Sequence, residues 1–222
     1  MTITKYGHCC LVIEVAGVKI LTDPGNHEFA GLGADPARLP KVDAVIITHE
    51  HPDHFHLPAM QRIVADNPGV TVYTTSKVSR QMSEAGLQTE LLEDGKTSTV
   101  STVPITGIGK LHAEIYGGWN RVENTGILVA NRFFYPGDTF TLPGVPIEVL
   151  ALPIAGPWMK MKEAVDFALM VKPRHAFPVH DGMLKTALPQ HRLLETMLPP
   201  AGIQFVATEP GTTMEFSSRP TR

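Results

Sequence analysis

The alternation of apolar and polar positions along the chain predicts an α/β protein in which two β-rich regions are flanked by helices. Near the amino terminus, residues 10–15 and 18–22 read as strands around Ala16-Gly17, a two-residue separation that suggests a hairpin. Asp23-Pro24-Gly25 breaks the second strand. Residues 26–40 have no clear period and contain Gly31, Gly33, Pro36 and Pro40, so a long loop bordering a site is expected there. Residues 42–48 are almost continuously apolar, as in a strand covered on both faces. Helical spacing follows over residues 58–66 and stops at Asn67-Pro68-Gly69; a strand is expected at 70–74 and a second helix at 78–85, closed by Gly86.

Short apolar segments around Leu91, Val100, Ile105, Ile115 and residues 127–129 read as strands separated by Gly, Pro and Asp. Phe133-Phe134-Tyr135 is a further apolar strand running into Pro136-Gly137-Asp138-Thr139. The last third alternates: strand 148–152, helix 161–171, strand 176–179, helix 184–197 and a final strand near 204–207, with a polar tail at 217–222. The best reading is one domain over residues 1–222, a layered α/β sandwich.

Composition narrows the function classes. At 222 residues with 43% hydrophobic and 18% charged content, the chain can bury a substantial core. A net charge of −3 and the lack of a Lys/Arg stripe argue against a dedicated nucleic-acid binder. The first residues lack the pattern of a signal peptide, and Glu14 and Lys19 interrupt the early apolar stretch, so a soluble, cytoplasmic protein that does not span a membrane is expected. Cys9 and Cys10 are adjacent, which offers neither a disulfide framework nor a C-x-x-C motif; they are expected to pack as small buried hydrophobes.

The concentrated chemistry lies in His49-Glu50-His51-Pro52-Asp53-His54, directly after Val45-Ile46-Ile47. Three imidazoles and a carboxylate in one short loop, without a thiolate, suit a catalytic metal rather than a structural zinc finger. Pro52 denies the loop a helical continuation, so His49 and His51 can project together while Asp53 and His54 point elsewhere. One loop could then serve two ions. Further ligands are expected at the ends of later strands, where His112, Asp138 and His180 stand. Asp23 is a candidate for holding a ligand histidine through its second ring nitrogen.

The order H-x-H-x-D-H at His49 to His54, a lone His112, Gly137-Asp138-Thr139 and a strand-terminal His180 resembles the metallo-β-lactamase superfamily. Gly7-His8-Cys9-Cys10 and Leu21-Thr22-Asp23-Pro24 further resemble its small bacterial metal-dependent hydrolases that are similar to ascorbate-6-phosphate lactonase. The resemblance implies an αββα sandwich of two mixed sheets flanked by helices. It also implies two divalent ions, with His49, His51 and His112 on one, Asp53, His54 and His180 on the other, and Asp138 between them. Zinc is the expected metal, and manganese or iron also fits.

Two divalent ions set against Asp53, Asp138 and a bridging hydroxide would leave about one positive charge at the centre, which favours an anionic small-molecule substrate. The expected chemistry is attack by that hydroxide on an ester, lactone, amide or phosphoester. A phosphodiesterase or nuclease with the same centre, and a metal-binding module without turnover, are the alternatives; a redox di-iron role is disfavoured because His51 stands where a glutamate would be needed. His8, Trp119 and Arg121 are candidate substrate contacts, with a core-closing role as the competing reading for Trp119. His27, His56, His175 and His191 read as surface residues, and Met159 and Met161 as core filling. Residues 26–40 and 117–121 are expected to choose the substrate. Self-association into a homo-oligomer is left open.

Overall fold

A computed structural model describes residues 1–29, 39–119 and 121–217. The expectations for Gly31, Gly33 and Pro36, for Asn120 and for the tail beyond Ser217 lie outside the described residues. The first sheet contains β1 (Thr2–Lys5), β2 (Leu11–Val15), β3 (Val18–Thr22), β4 (Ala44–Ile46), β5 (Thr71–Thr74), β6 (Glu90–Leu91) and β14 (Thr213–Glu215), in the order β14-β1-β2-β3-β4-β5-β6. The second contains β7 (Thr97–Val100), β8 (Val103–Ile108), β9 (Gly126–Val129), β10 (Phe133–Tyr135), β11 (Val149–Pro153), β12 (His175–Val179) and β13 (Gln204–Phe205), in the order β13-β12-β11-β10-β9-β8-β7. Each sheet is antiparallel at one side and parallel at the other: pairing turns parallel from β3 onward in the first and from β10 onward in the second.

The helices are α1 (Asn26–Phe29), α2 (Leu57–Asp66), α3 (Ser76–Glu84), α4 (Met161–Val171) and α5 (Leu188–Met197). Three apolar clusters reveal the layering. Alternate strand residues such as Ile13, Ile46, Phe133, Ala151 and Phe177 fill the space between the sheets. Val45 and Ile47 face outward onto Ala59, Met60, Ile63, Val78 and Met82 of α2 and α3. Leu150, Leu152 and Ala176 face outward onto Ala164, Phe167, Ala168 and Leu194 of α4 and α5. The result is the expected αββα sandwich, and the unbroken apolar run around β4 follows from its having both faces covered. Cys9 and Cys10 are fully buried and form no disulfide, one facing the inner cluster and the other the α2/α3 layer.

The hairpin forms as expected: Val15 pairs with Val18, and Ala16 (φ 50°) and Gly17 (φ 78°) make the turn. Three differences have physical causes. The last helix starts at Leu188 rather than 184, because Pro189 fits only its first turn and would break the ladder of a helix begun earlier. Ile115 is in no strand; it lies in an excursion between the bridged Leu111 and Glu123, with a second isolated bridge, Tyr116–Trp119, around Gly117 and Gly118 at positive φ. β1 and β14 escaped the pattern, β1 because its inward positions are Ile3 and the charged but fully buried Lys5. Among the described residues, no helix is long and apolar enough to cross a membrane.

The parallel neighbours β3 and β4 deliver Asp23-Pro24-Gly25 and the His49–His54 loop to the same sheet edge. Asn26 donates to the Pro52 carbonyl at 2.7 Å and His56 to the Pro24 carbonyl at 3.2 Å, so the two turns are laced together. Gly25 is required by this close approach: a Cβ there would stand 1.9 Å from the Asp53 carbonyl oxygen. Gly25→Ala is expected to destabilise the protein by about 1–3 kcal/mol or more, as overpacking does, and to weaken metal binding as well; thermal unfolding and metal titration of the variant check both.

Candidate metal centre

Each functional side chain sits on a turn that leaves a strand end. The loop after β4 folds back at Pro52, with the N–H groups of His54 and Phe55 both donating to the His51 carbonyl at 2.9 Å. His112 follows β8, its N–H held by the Val122 carbonyl at 3.0 Å. Asp138 follows β10, and its N–H donates to Asn124 Oδ1 at 3.0 Å while Asn124 Nδ2 donates to the Pro136 carbonyl at 2.9 Å. His180 follows β12 at φ 59°, an unusual conformation for histidine, and its N–H donates to the His8 carbonyl at 2.9 Å.

These turns bring the candidates into two groups, His49, His51, His112 and Asp138 in one and His8, Asp53, His54 and His180 in the other; within each, the ligating atoms lie within 4.8 Å of one another. Asp138 touches both groups. One of its oxygens is 3.3 Å from His54 Nε2, and the other is 3.3 Å from His112 Nε2 and 2.8 Å from His180 Nε2. Asp53 Oδ2 lies 3.6 Å from His180 Nε2 and 3.9 Å from His54 Nε2. The Nε2 atoms of His54, His112 and His180 and Asp138 Oδ1 are buried without a well-formed hydrogen bond. Such convergent, unsatisfied donor atoms are costly in a bare protein and are what divalent cations would satisfy. The residues therefore fit two metal ions.

The far side of the rings supports this fit. Asp23, fully buried, accepts from His54 Nδ1 at 2.7 Å, so once His54 gives up its other proton Nε2 carries the lone pair. Thr48 gives its hydroxyl proton to Asp23 at 2.7 Å and must then accept from His49 Nδ1 at 2.9 Å, which leaves His49 Nε2 the lone pair, facing His51 Nδ1 at 3.1 Å. His112 Nδ1 donates to the Ala113 carbonyl at 2.5 Å, with the same consequence. Tyr135 Oη adds a donor to Asp23 at 2.8 Å, and the Thr48 N–H another at 2.7 Å.

Charge is distributed to match. Burial and the neighbouring imidazoles push His49 well below the usual histidine value, and burial also lowers His51. Burial lowers His8 to about 3, with Asp53 opposing it. On His54, burial works against a charge, but Asp138 and Asp23 outweigh it and raise the imidazole well above its ordinary value. Burial likewise opposes ionisation of Asp53 and Asp138, yet the facing histidines hold both carboxylates well below their usual range. Without metal, a His54 imidazolium thus stands between two carboxylates where a cation would be.

Sequence reasoning missed several supporting groups. Trp158, 8% exposed, donates Nε1–H to Asp138 Oδ2 at 2.9 Å and packs edge-on to His112 and His180. Thr48, Asn124 and Tyr135 were equally unread; the sequence signal of Thr48 and Tyr135 is a polar atom closing an apolar run, and Asn124 has none. His8 is buried among the second group's side chains, whereas Trp119 is 65% exposed at the tip of its turn and Arg121 is exposed. Trp119 therefore does not close the core. His191, expected at the surface, is buried with Nε2 3.8 Å from Asp181, and His27 is half-buried and stacks on His8. Met159 and Met161 pack against the α4/α5 core as expected.

The family model described as a beta-lactamase superfamily domain matches residues 2–180. The chain belongs to the metallo-β-lactamase superfamily. It is 32% identical to Protein Rv0786c of Mycobacterium tuberculosis over 191 residues, covering 83% of this chain and 85% of that one. It is 28% identical over 192 residues to a Pyrococcus furiosus protein named a UPF0173 metal-dependent hydrolase, covering 80% and 83%. In three dimensions it is similar to a metallo hydrolase from Ignicoccus hospitalis, with a TM-score of 0.77, 21% identity and coverage of 97% and 99%. These matches agree with the superfamily and the fold expected from the H-x-H-x-D-H order.

Two measurements follow from the network around this superfamily's metal loop. Asp23→Ala is expected to lower metal affinity and any turnover by about 10–100-fold; unchanged metal content would contradict the role given to Asp23. Metal loading at pH 7 is expected to displace the proton of His54, whose imidazole Asp138 and Asp23 hold well above its ordinary value. Affinity should therefore fall as pH falls. Calorimetry in buffers of different ionisation enthalpy counts the protons.

Proposed function

We propose that the chain is a metal-dependent hydrolase that cleaves a small, anionic ester, lactone, amide or phosphoester at a dinuclear centre. The observation that carries this reading is Asp138: one buried carboxylate contacts imidazoles of both ligand groups. His49, His51 and His112 would hold one ion, Asp53, His54 and His180 the other, and Asp138 would face both. Imidazole and carboxylate donors without thiolate suit zinc, and also manganese or iron. When bound, the ions would supply Lewis acidity and a water acidified to near neutral pH.

The protein's own groups would keep that chemistry in register. Asp23 and Thr48 orient His54 and His49, Trp158 fixes the Asp138 carboxylate, and Asn124 fixes its backbone. Two carboxylates cannot neutralise two divalent cations, so the cleft would carry net positive charge and favour an anionic substrate. A cysteine nucleophile is not at hand, since Cys9 and Cys10 are fully buried and burial pushes the Cys9 thiol up. The likeness of the first residues to the lactonase branch favours a lactone or phosphorylated ester within this substrate class. Trp119 and Arg121 are exposed and lie between His112 and Asn124 in the chain, a placement suited to selecting substrate rather than performing the reaction.

Chelation should abolish hydrolysis of a panel of lactones, esters and phosphoesters, and zinc or manganese should restore it with two ions bound per chain. A fully loaded protein inert toward the whole panel would defeat the hydrolase reading and favour a metal-binding role. Preferential cleavage of bis-p-nitrophenyl phosphate and RNA would instead indicate a phosphodiesterase.

A further inference from the structure

His8 stands in the second ligand group as close to its neighbours as a ligand would be. Its ring centroid is 4.1 Å from that of His180, its Nε2 is 3.3 Å from Asp53 Oδ2, and that Nε2 is buried without a well-formed hydrogen bond, like those of His54, His112 and His180. Proximity alone would make it a fourth protein ligand. The other side of the ring says otherwise.

The Gly182 N–H donates to His8 Nδ1 at 3.0 Å. An Nδ1 that accepts carries no proton, so in the neutral ring the proton is on Nε2. His49, His54 and His112 are arranged in the opposite sense: each gives its Nδ1–H to a neighbour, so that in the neutral ring Nε2 carries the lone pair. For His8 to bind a cation through Nε2 while Nδ1 accepts, the ring would have to be an imidazolate. The Gly182 contact is built into the fold, because the adjoining His180 N–H donates to the His8 carbonyl at 2.9 Å and Lys5 pairs with Asp181 at 2.7 Å. Gly182 must also lack a side chain: a Cβ there would come within 3.0 Å of His8 Cβ and 3.2 Å of Nδ1.

We infer that His8 is not a metal ligand but a positioning residue, whose neutral ring turns its Nε2–H toward the Asp53 carboxylate, 3.3 Å away, ready to hydrogen-bond it beside the second ion. A carboxylate oxygen has two lone pairs, and a hydrogen bond to one of them restrains its rotation and draws off charge, which would leave the ion a stronger Lewis acid. The effect on Asp53 rests on the two-ion reading proposed above; the tautomer of His8 does not.

Nitrogen NMR of the isotope-labelled, metal-free full chain tests the tautomer directly, with a protonated Nε2 and an unprotonated Nδ1 expected on His8. A proton on Nδ1 would overturn the inference whatever the metal content. In protein loaded with a spin-active cadmium isotope, scalar coupling to the metal is expected at His54 and His180 but not at His8, and coupling at His8 would also overturn it. Failure of the protein to take up two cadmium ions would count against the dinuclear reading instead. His8→Gln, which keeps a donor near the Nε2 position, is expected to retain affinity for the second ion within about threefold, whereas His8→Phe should lose about 10–100-fold. Equal loss in both variants would mean that His8 ligates.

Discussion

The buried carboxylate of Asp23 is the constraint on which the metal centre depends. It receives the Thr48 N–H and hydroxyl, His54 Nδ1–H and the Tyr135 hydroxyl, all within 2.8 Å. Those donors come from the first sheet's metal loop and from β10 of the second sheet, so a single side chain ties the sheets together beneath the site. Hydrogen bonds to a charged group contribute about 1.5–3 kcal/mol each, while removing the partners of a buried charge costs more than the bonds themselves contribute. The carboxylate and its donors therefore hold one another in place, and the positive φ of Asp23 (39°) persists because the surrounding contacts over-determine it.

The centre is assembled across the sandwich. His8 and the His49–His54 loop leave the first sheet; His112, Asp138 and His180 leave the second. None of these side chains can reach its partners unless the inner apolar layer sets the separation and twist of the two sheets. Close packing makes that separation stiff, and stiffness allows candidate ligand atoms from four turns, with His8 from a fifth beside them, to converge within a few ångströms without help from local sequence. The arrangement carries an energetic conflict, because unsatisfied polar atoms are gathered in a dry region. The proton on His54 partly relieves it in the bare protein, and cations would relieve it more fully.

Sequence patterns reveal those parts of the structure whose cause is local. The hairpin at Ala16-Gly17, the doubly covered run around β4 and helix α4 follow from turn chemistry and periodicity over a few residues. The metal loop was legible because ligand-forming residues at this density have no packing explanation. Lys5 hid β1, because its burial depends on Asp181, 176 residues away in sequence. Trp158, Thr48, Asn124 and Tyr135 were illegible for the same reason: each looks like an ordinary core or turn residue until the sheet packing brings a carboxylate or a ligand's backbone to its polar atom. The substrate walls are the least legible part, since loops selecting a ligand obey no period.

Proximity and role separate within the cluster. Rings of similar spacing differ in what their Nδ1 atoms do, and that atom decides whether Nε2 offers a lone pair or a proton. Thr48, Asp23 and the Ala113 carbonyl make that decision for His49, His54 and His112, and Gly182 makes the opposite one for His8. His180 is different again, with a buried Nδ1 that has no hydrogen-bond partner. Its orientation is imposed through the backbone instead: a left-handed conformation, an N–H tied to the His8 carbonyl, and a following Asp181 held by Lys5, whose ammonium also donates to the Pro178 carbonyl at 3.0 Å. No hydrogen bond at Nδ1 fixes the tautomer of this ring, which His8 and Trp158 flank, so a metal could select the tautomer that leaves Nε2 free. His180 is thus the candidate ligand whose tautomer the fold leaves open, and the buried lysine beneath it fixes the position of its backbone.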